Sequence, residues 1–217
     1  MSIPVWDYRE HIQNLVATPE IRARFAQAHP GPIPQYHSHD LGGEIFLVLD
    51  GEVTFDVEGE VVVCRPGQAI YVPPHVKHRV YTQDDRPATY YLSVTPHVEP
   101  THTQYDERLQ RRPPRYGIWR AAGDPSPRSP QSTEELADAA VSAAETLARL
   151  AEQTAAALRQ QVEALKAASR AGNADVAKQA VDTMWEAAYP TLRQVRVFEG
   201  IWNQLAPRVT PEPTARY

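Results

Sequence analysis

Three histidines and one glutamate stand at spacings that suit a metal site. His37 and His39 are separated by one residue, so on a β-strand both imidazoles point to the same face. Glu44 follows a turn with two glycines, and a hairpin there can fold its carboxylate back toward the two rings. His78 lies in a later segment. Three imidazoles and one carboxylate that converge inside a barrel would suit a borderline divalent metal and leave room for water or substrate.

The segment from residue 20 to residue 96 has the pattern of a small β-fold. Short apolar segments alternate with turn signals, of which Asp50-Gly51 is a strong hairpin dipeptide. This pattern predicts an antiparallel sandwich or barrel. The apolar segments fall at residues 21–28, 44–49, 52–57, 61–64, 68–72, 76–82 and 89–94.

The segments on either side lack this pattern. Within residues 1–19, Ile12, Leu15 and Val16 fall at helical spacing, which predicts a short helix over residues 7–17, as part of an N-terminal helix or strap. Residues 97–130 are rich in proline and arginine, which favours an extended linker.

The last third of the chain has a different composition. All eight histidines lie at or before position 102, whereas the chain after position 130 is rich in alanine. Ser132 and Glu135 form a capping-box pattern, and apolar residues then recur every three or four positions. We therefore predict a helical hairpin over residues 131–207, followed by a tail over residues 208–217. Its helices would cover 132–171 and 174–206, the second kinked at Pro190.

The histidine motif resembles the first conserved motif of the cupin superfamily. It reads Gly31-x5-His37-x-His39-x4-Glu44-x6-Gly51 and matches at every position. The second motif reads Gly67-x5-Pro73-Pro74-His75-x2-His78-x3-Thr82. In it, His75 stands where the family usually has glycine, and Thr82 where it often has asparagine. The resemblance covers residues 20 to 96.

This resemblance implies a mainly β fold with added α structure: a cupin-like antiparallel jelly-roll barrel followed by the C-terminal helical hairpin. It implies that His37, His39, Glu44 and His78 bind one divalent transition metal per chain. Iron, manganese, nickel and copper would allow redox chemistry, whereas zinc would restrict the site to Lewis-acid work. The superfamily contains dioxygenases, isomerases and lyases, and by its frequencies a dioxygenase is narrowly favoured.

Strand parity suggests which side chains surround the metal. If Glu44 points inward, Phe46 and Val48 do as well, and an inward His78 places Val76 and Val80 inward. These side chains are apolar, which favours a small organic substrate. Five tyrosines are candidates for the pocket or its rim: Tyr36, Tyr71, Tyr81, Tyr90 and Tyr91.

The remaining residues near the two motifs have the following expected roles. Glu44 and His75 are candidate catalytic groups, although His75 could equally be a solvent-facing loop residue. His97 and His102 follow the predicted barrel and are expected to be bystanders. Parity places Arg79 outside the pocket, and Cys64 is expected to be an inert strand residue.

Composition restricts the partners and the compartment. The formal net charge of −5 and the pI near 5.9 argue against a general nucleic-acid binder. No apolar run is long enough to span a bilayer. The single cysteine and the absence of a signal-peptide pattern at the first residues favour the cytoplasm.

Three functional hypotheses remain. The first is a metal-dependent enzyme acting on a small organic molecule. The second is a non-catalytic sensor or binding barrel whose helical arm drives assembly into a homodimer or higher homo-oligomer. The third assigns the function to the helical arm and leaves the barrel as a scaffold.

Overall fold

The computed structural model describes residues 3–125 and 128–210. They form two compact units, one of β-strands and one of two long helices. None of the described helices has the length and apolar character needed to cross a lipid bilayer. The strands in chain order are β1 (Asn14–Ala17), β2 (Arg22–Ala28), β3 (His37–Ser38), β4 (Gly43–Asp50), β5 (Val53–Val57), β6 (Glu60–Cys64), β7 (Ala69–Val72), β8 (His78–Tyr81), β9 (Ala88–Thr95) and β10 (Thr103–Gln104).

The strands make two antiparallel five-stranded sheets. The first has the order β1-β2-β9-β4-β7, and the second has the order β10-β3-β8-β5-β6. A shared apolar core contains Phe46 and Val48 from the first sheet and Phe55 and Val53 from the second. The predicted jelly-roll barrel with added helices is confirmed.

The hairpin between β4 and β5 shows why the local sequence folds this way. Gly51 has φ +73°, in the left-handed region where a side chain is strained. A Cβ on Gly51 would lie 2.9 Å from the Cβ of Ala88 on the neighbouring strand. Glycine therefore serves both the turn and the close approach of two strands.

The helix predicted over residues 7–17 is not formed. Residues 8–10 make a turn, and β1 pairs with β2 at the edge of the first sheet. The side-chain amide of Asn14 donates to the carbonyl oxygens of Trp119 (2.8 Å) and Gly123 (2.5 Å). A helix of 11 residues is marginal by itself, and the open edge of β2 offers this segment backbone hydrogen-bond partners.

Residues 97–125 also differ from the expected extended linker. Strand β10 pairs with β3, and a 3-10 helix covers Ile118–Ala122. The Glu99 Oε1 atom accepts hydrogen bonds from the Gly117 amide (3.0 Å) and the Trp119 indole (2.6 Å). This buried carboxylate fixes a segment that composition alone describes as irregular. Residues 126–127 of the predicted linker and 211–217 of the predicted tail lie outside the described residues.

The second unit consists of two long helices, α1 (Thr133–Arg170) and α2 (Ala174–Leu205). Ser132 caps α1 through the predicted capping box with Glu135. Helix α2 continues through Pro190 without interruption. The Thr154 hydroxyl of α1 donates to the Ala187 carbonyl, in the turn of α2 that precedes this proline (2.7 Å).

Candidate metal centre

The predicted cluster comes from both sheets. His37 on β3 is the direct cross-strand partner of His78 on β8, and His39 follows two residues later. Glu44 is on β4 of the other sheet. Each of the four residues offers one ligand atom, and these atoms all lie within 4.8 Å of one another.

The glutamate oxygen lies between two of the imidazoles. Glu44 Oε2 is 2.9 Å from His39 Nε2 and 3.0 Å from His78 Nε2. Adjacent ligands at right angles around an ion, each about 2.1 Å from it, stand about 3.0 Å apart. The separations therefore suit neighbouring positions in one coordination sphere.

Backbone carbonyls determine which ring nitrogens face the glutamate as acceptors. The Nδ1 of His39 is 2.5 Å from the Thr101 carbonyl oxygen, and the Nδ1 of His78 is 3.0 Å from that of Val76. A carbonyl only accepts, so each Nδ1 carries the hydrogen. In the neutral rings both Nε2 lone pairs then point at the carboxylate, and a cation between these atoms would satisfy all three. The residues present thus fit a divalent metal.

The charge states agree with this donor set. Burial alone would raise the pKa of Glu44, but His39 and His78 hold it well below its ordinary value. Burial, then the charges of His78 and His39, lower the pKa of His37 well below its ordinary value. The carboxylate is ionised and His37 is neutral, which are the forms that bind a metal ion.

A fourth histidine, expected to be a bystander, lies beside the cluster. The His102 ring centroid is 4.8 Å from that of His39 and 5.1 Å from that of His37. Burial and the charges of His39 and His37 lower its pKa well below the ordinary value. His102 lies outside the two motifs, next to strand β10. The sequence signal for that strand is the placement of Thr101, Thr103 and Tyr105 at alternate positions.

His97, the other expected bystander, is buried as well. It is 1% exposed, and its ring packs edge-on against Trp119 with centroids 5.1 Å apart. Its Nδ1 is 3.1 Å from the Thr101 hydroxyl. His97 therefore helps to hold the segment whose carbonyl orients His39.

His75 does not join the cluster. Its side chain is 74% exposed, and its Nδ1 lies 3.9 Å from Asp40 Oδ1. Its φ of +68° is in the left-handed region, which explains why the family usually has glycine here. The His75 backbone N–H donates to the His39 carbonyl (2.8 Å), so the loop supports the site through its main chain.

Two of the predicted pocket tyrosines face outward. The Tyr36 hydroxyl donates to Asp56 Oδ1 (2.6 Å), and the Arg79 guanidinium lies over its ring. Tyr71 pairs with Ile45 on the outward face of the first sheet and is 58% exposed. Both predictions were wrong because tyrosine is common on either face of a strand, and its type does not reveal its parity.

The other predicted pocket residues lie in the interior. Phe46 is 6.0 Å from His78 between ring centroids, and Val48 belongs to the buried core. Val76 and Val80 pack against that core and are partly buried. Arg79 pairs with Asp56 on the outer face, in line with its predicted parity.

Sequence reasoning missed two interior arginines on β2. Arg22 is 1% exposed, and Arg24 lies two residues along on the same face. Through β9 they are in register with the strand that carries Glu44. Charged residues at alternate positions of a strand ordinarily face the solvent. The sequence pattern therefore gave no indication that these arginines are buried.

A cavity of about 250 Å³ lies beside the turn that links His39 to Glu44. One wall is formed by this turn, and the other by Val94 and the segment that follows β9. The lining residues include Leu41, Gly42, Pro96, Glu99 and Thr101. The cavity is mostly apolar in its side chains, with Glu99 and Asp40 as the acidic members.

Comparison with known proteins places the β-unit in a family. The model of the family described as "Cupin domain" matches residues 24–95. No curated protein matches the chain. Residues 24–95 include all four residues of the cluster and lack His97, Thr101 and His102.

Solved structures resemble less than half of the chain. An uncharacterized conserved protein with a double-stranded beta-helix domain from Klebsiella pneumoniae is 19% identical, with a TM-score of 0.41, covering 44% of this chain and 91% of that one. A Cupin 2 conserved barrel domain protein from Salinispora arenicola is 21% identical, with a TM-score of 0.37, covering 44% and 88%. The DMSP lyase DddQ from Ruegeria pomeroyi is 24% identical, with a TM-score of 0.37, covering 40% and 44%.

The family match, the two antiparallel sheets and the inward cluster of three histidines and one glutamate agree with one another. Residues 24–95 form a domain of the cupin superfamily.

Proposed function

We propose that this protein is a metal-dependent enzyme that acts on a small organic molecule inside the cupin barrel. His37, His39, Glu44 and His78 would hold one divalent transition metal. The observation that carries this proposal is the convergence of these four side chains, whose ligand atoms all lie within 4.8 Å of one another, with Glu44 Oε2 at 2.9 Å from His39 Nε2 and 3.0 Å from His78 Nε2.

The ion would supply Lewis acidity, together with redox chemistry if it is iron, manganese, nickel or copper. The surrounding residues would orient the substrate and exclude water. Phe46 stands against His78 and provides an apolar wall. His102 lies on the side of His39 and is available as a fourth imidazole.

The first test is metal content. Protein purified without chelator is expected to contain about one divalent ion per chain by elemental analysis, and the His37→Ala, His78→Ala double variant should lose it. His75→Ala is the matched control, because that imidazole is exposed and should leave the content unchanged. A native protein that neither contains nor takes up a divalent metal would refute the proposal.

The second test concerns the reaction class, for which dioxygenation is the first hypothesis. Protein reconstituted with Fe(II) is expected to consume oxygen in the presence of an accepted aromatic or small-acid substrate. Substrate turnover without oxygen uptake would instead identify an isomerase or a lyase.

The alternative is a non-catalytic sensor whose helical unit assembles the protein. The observation in its favour is the exposed apolar stripe on α2, which includes Trp185 and Leu192. Reversible binding of a small molecule without turnover, coupled to a change in oligomeric state, would favour this alternative.

A further inference from the structure

Arg22 is a buried charge in the barrel interior. Its side chain is 1% exposed, and among the residues the structure describes none accepts a hydrogen bond from its Nε or Nη2. Burial lowers its pKa to about 10, which still leaves the guanidinium charged at neutral pH. A buried charge without hydrogen-bond partners is costly, so it calls for a ligand or for a function.

The register of the sheet places this charge beside the candidate metal centre. Arg22 and Glu44 both pair with Val94, one from β2 and one from β4. Facing residues on neighbouring strands present their side chains to the same side of a sheet. Arg22, Val94 and Glu44 thus form one row along the interior.

The next row along the interior adds a second guanidinium group and two apolar side chains. Arg24 pairs with Leu92 on β9, and Leu92 pairs with Phe46 on β4. The Nε of Arg24 is also buried and has no hydrogen-bond partner among the described residues. Two guanidinium groups therefore stand next to an apolar surface that ends at Phe46.

The charge balance of this interior favours an anion. Glu44 is the carboxylate whose charge acts most strongly on Arg22, and it faces His39 and His78. Glu99 also influences Arg22, but burial raises the pKa of Glu99, and its Oε1 accepts bonds from Gly117 and Trp119. With a divalent ion on Glu44, the arginine charges would lack a counter-charge.

The two nitrogens of Arg22 that lack partners indicate which chemical group the ligand presents to them. Nε and Nη2 form one edge of the guanidinium, which binds a carboxylate with two parallel hydrogen bonds. The same protein uses this edge elsewhere, because Arg79 Nε and Nη2 donate to Asp56 Oδ2 at 2.9 and 2.6 Å. Arg22 presents the identical edge to the interior.

We propose that Arg22, supported by Arg24, binds the carboxylate of a small organic acid whose apolar body lies along Leu92 and Phe46. This inference deepens the proposed function and rests on it, since the acid would be the substrate of the adjacent metal centre. The anion site itself is made only of residues outside the metal cluster.

The experiment measures carboxylate binding by the full-length protein in two forms, one loaded with Zn(II) and one freed of metal by a chelator that is then removed by dialysis. The probes are small monocarboxylates from acetate to benzoate, each compared with its primary amide, by isothermal titration and thermal shift. At least one carboxylate should bind, and its amide at least tenfold more weakly. Arg22→Met should weaken that binding at least tenfold, and Arg22→Lys should retain part of it.

Arg65→Met is the matched control, because Arg65 is exposed and pairs only with Glu52 at the surface. Far-ultraviolet circular dichroism and the melting temperature establish that each variant is folded. Equal binding of acid and amide, unchanged binding in folded Arg22→Met, or no binding of any carboxylate would overturn the proposal.

The two proposals fail separately. Arg22-dependent carboxylate binding by a protein that takes up no metal would leave the anion site standing and remove the metal-dependent enzyme. One metal ion per chain without carboxylate binding to Arg22 would leave the metal-dependent enzyme standing and remove the anion site.

Discussion

Arg22 and Glu44 face the same interior from strands β2 and β4, each in register with Val94 on the strand between them. The row places a guanidinium whose Nε and Nη2 have no hydrogen-bond partner in the described part of the chain beside a carboxylate that faces two histidines.

The first prediction concerns the stability of this arrangement. Arg22→Met should raise the free energy of unfolding of the ligand-free protein by about 1–3 kcal/mol, because an apolar side chain of similar volume avoids the desolvation of a buried charge. Urea unfolding without added carboxylate measures the change. A loss of stability of similar size would mean that Arg22 holds the fold together, and not a ligand.

The second prediction is a pH dependence from His97. Burial, followed by the charges of Arg22, His39 and Arg120, lowers the pKa of His97 to about 3. In the unfolded chain this histidine binds a proton near pH 6.5, whereas in the folded protein it stays neutral. The stability that it contributes is therefore fully present above pH 6.5 and is lost as the pH falls below that value. His97 alone should lower the free energy of unfolding by about 1 kcal/mol between pH 6.5 and pH 5.5.

His97→Asn should reduce that slope, because asparagine does not titrate. The measurement is the free energy of unfolding in urea at both pH values for the two proteins. His37 and His102 contribute with the same sign, so the difference between the proteins is the relevant quantity. Identical slopes would contradict the assignment.

The third prediction compares two ion pairs. Asp56 accepts from Arg79 through one oxygen and from the Tyr36 hydroxyl (2.6 Å) and the Gly59 amide (3.0 Å) through the other, and it is 3% exposed. Asp56→Asn should lower the free energy of unfolding by about 2–3 kcal/mol, because it weakens four hydrogen bonds at a buried carboxylate.

Glu52→Gln is the control for this comparison. Glu52 pairs with Arg65 at the surface, where both side chains are largely exposed, so the change should stay within about 0.5 kcal/mol. Chemical denaturation of the two variants measures both effects. Equal losses would show that the hydrogen bonds around Asp56 contribute little.

The fourth prediction concerns self-association. Val181, Trp185, Tyr189 and Leu192 recur at helical spacing along one face of α2, and about half of each side chain is exposed. We predict that this stripe joins copies of the chain. Trp185→Glu with Leu192→Glu should reduce the oligomeric mass in light scattering, whereas Glu186→Lys, at an exposed polar position off this face, should not. An unchanged mass would exclude the stripe as the interface.

Much of the β-unit could be predicted from the sequence, because alternation and turn residues are local signals. The strands from Arg22 to Thr95 and the inward direction of Phe46 follow from them. The metal cluster was predictable for another reason, since its spacing matches a known motif. The capping box at Ser132 likewise gave the start of α1.

The missed features depend on distant partners. Residues 14–17 form a strand only because the edge of β2 is open, and His102 lies beside the cluster only because β10 pairs with β3. Arg22 was missed because its burial depends on the row that it shares with Val94 and Glu44. Such tertiary pairings leave no periodic signal in the segment itself.

The Thr101 carbonyl that orients His39 lies beyond the segment matched by the family, and so does Trp119, whose carbonyl accepts from Asn14. The smallest piece that could be transplanted with its chemistry intact therefore runs from β1 to the 3-10 helix at Ile118–Ala122. Grafting residues 24–95 into another protein would carry over the four candidate ligands but leave out the carbonyl that orients the His39 ring.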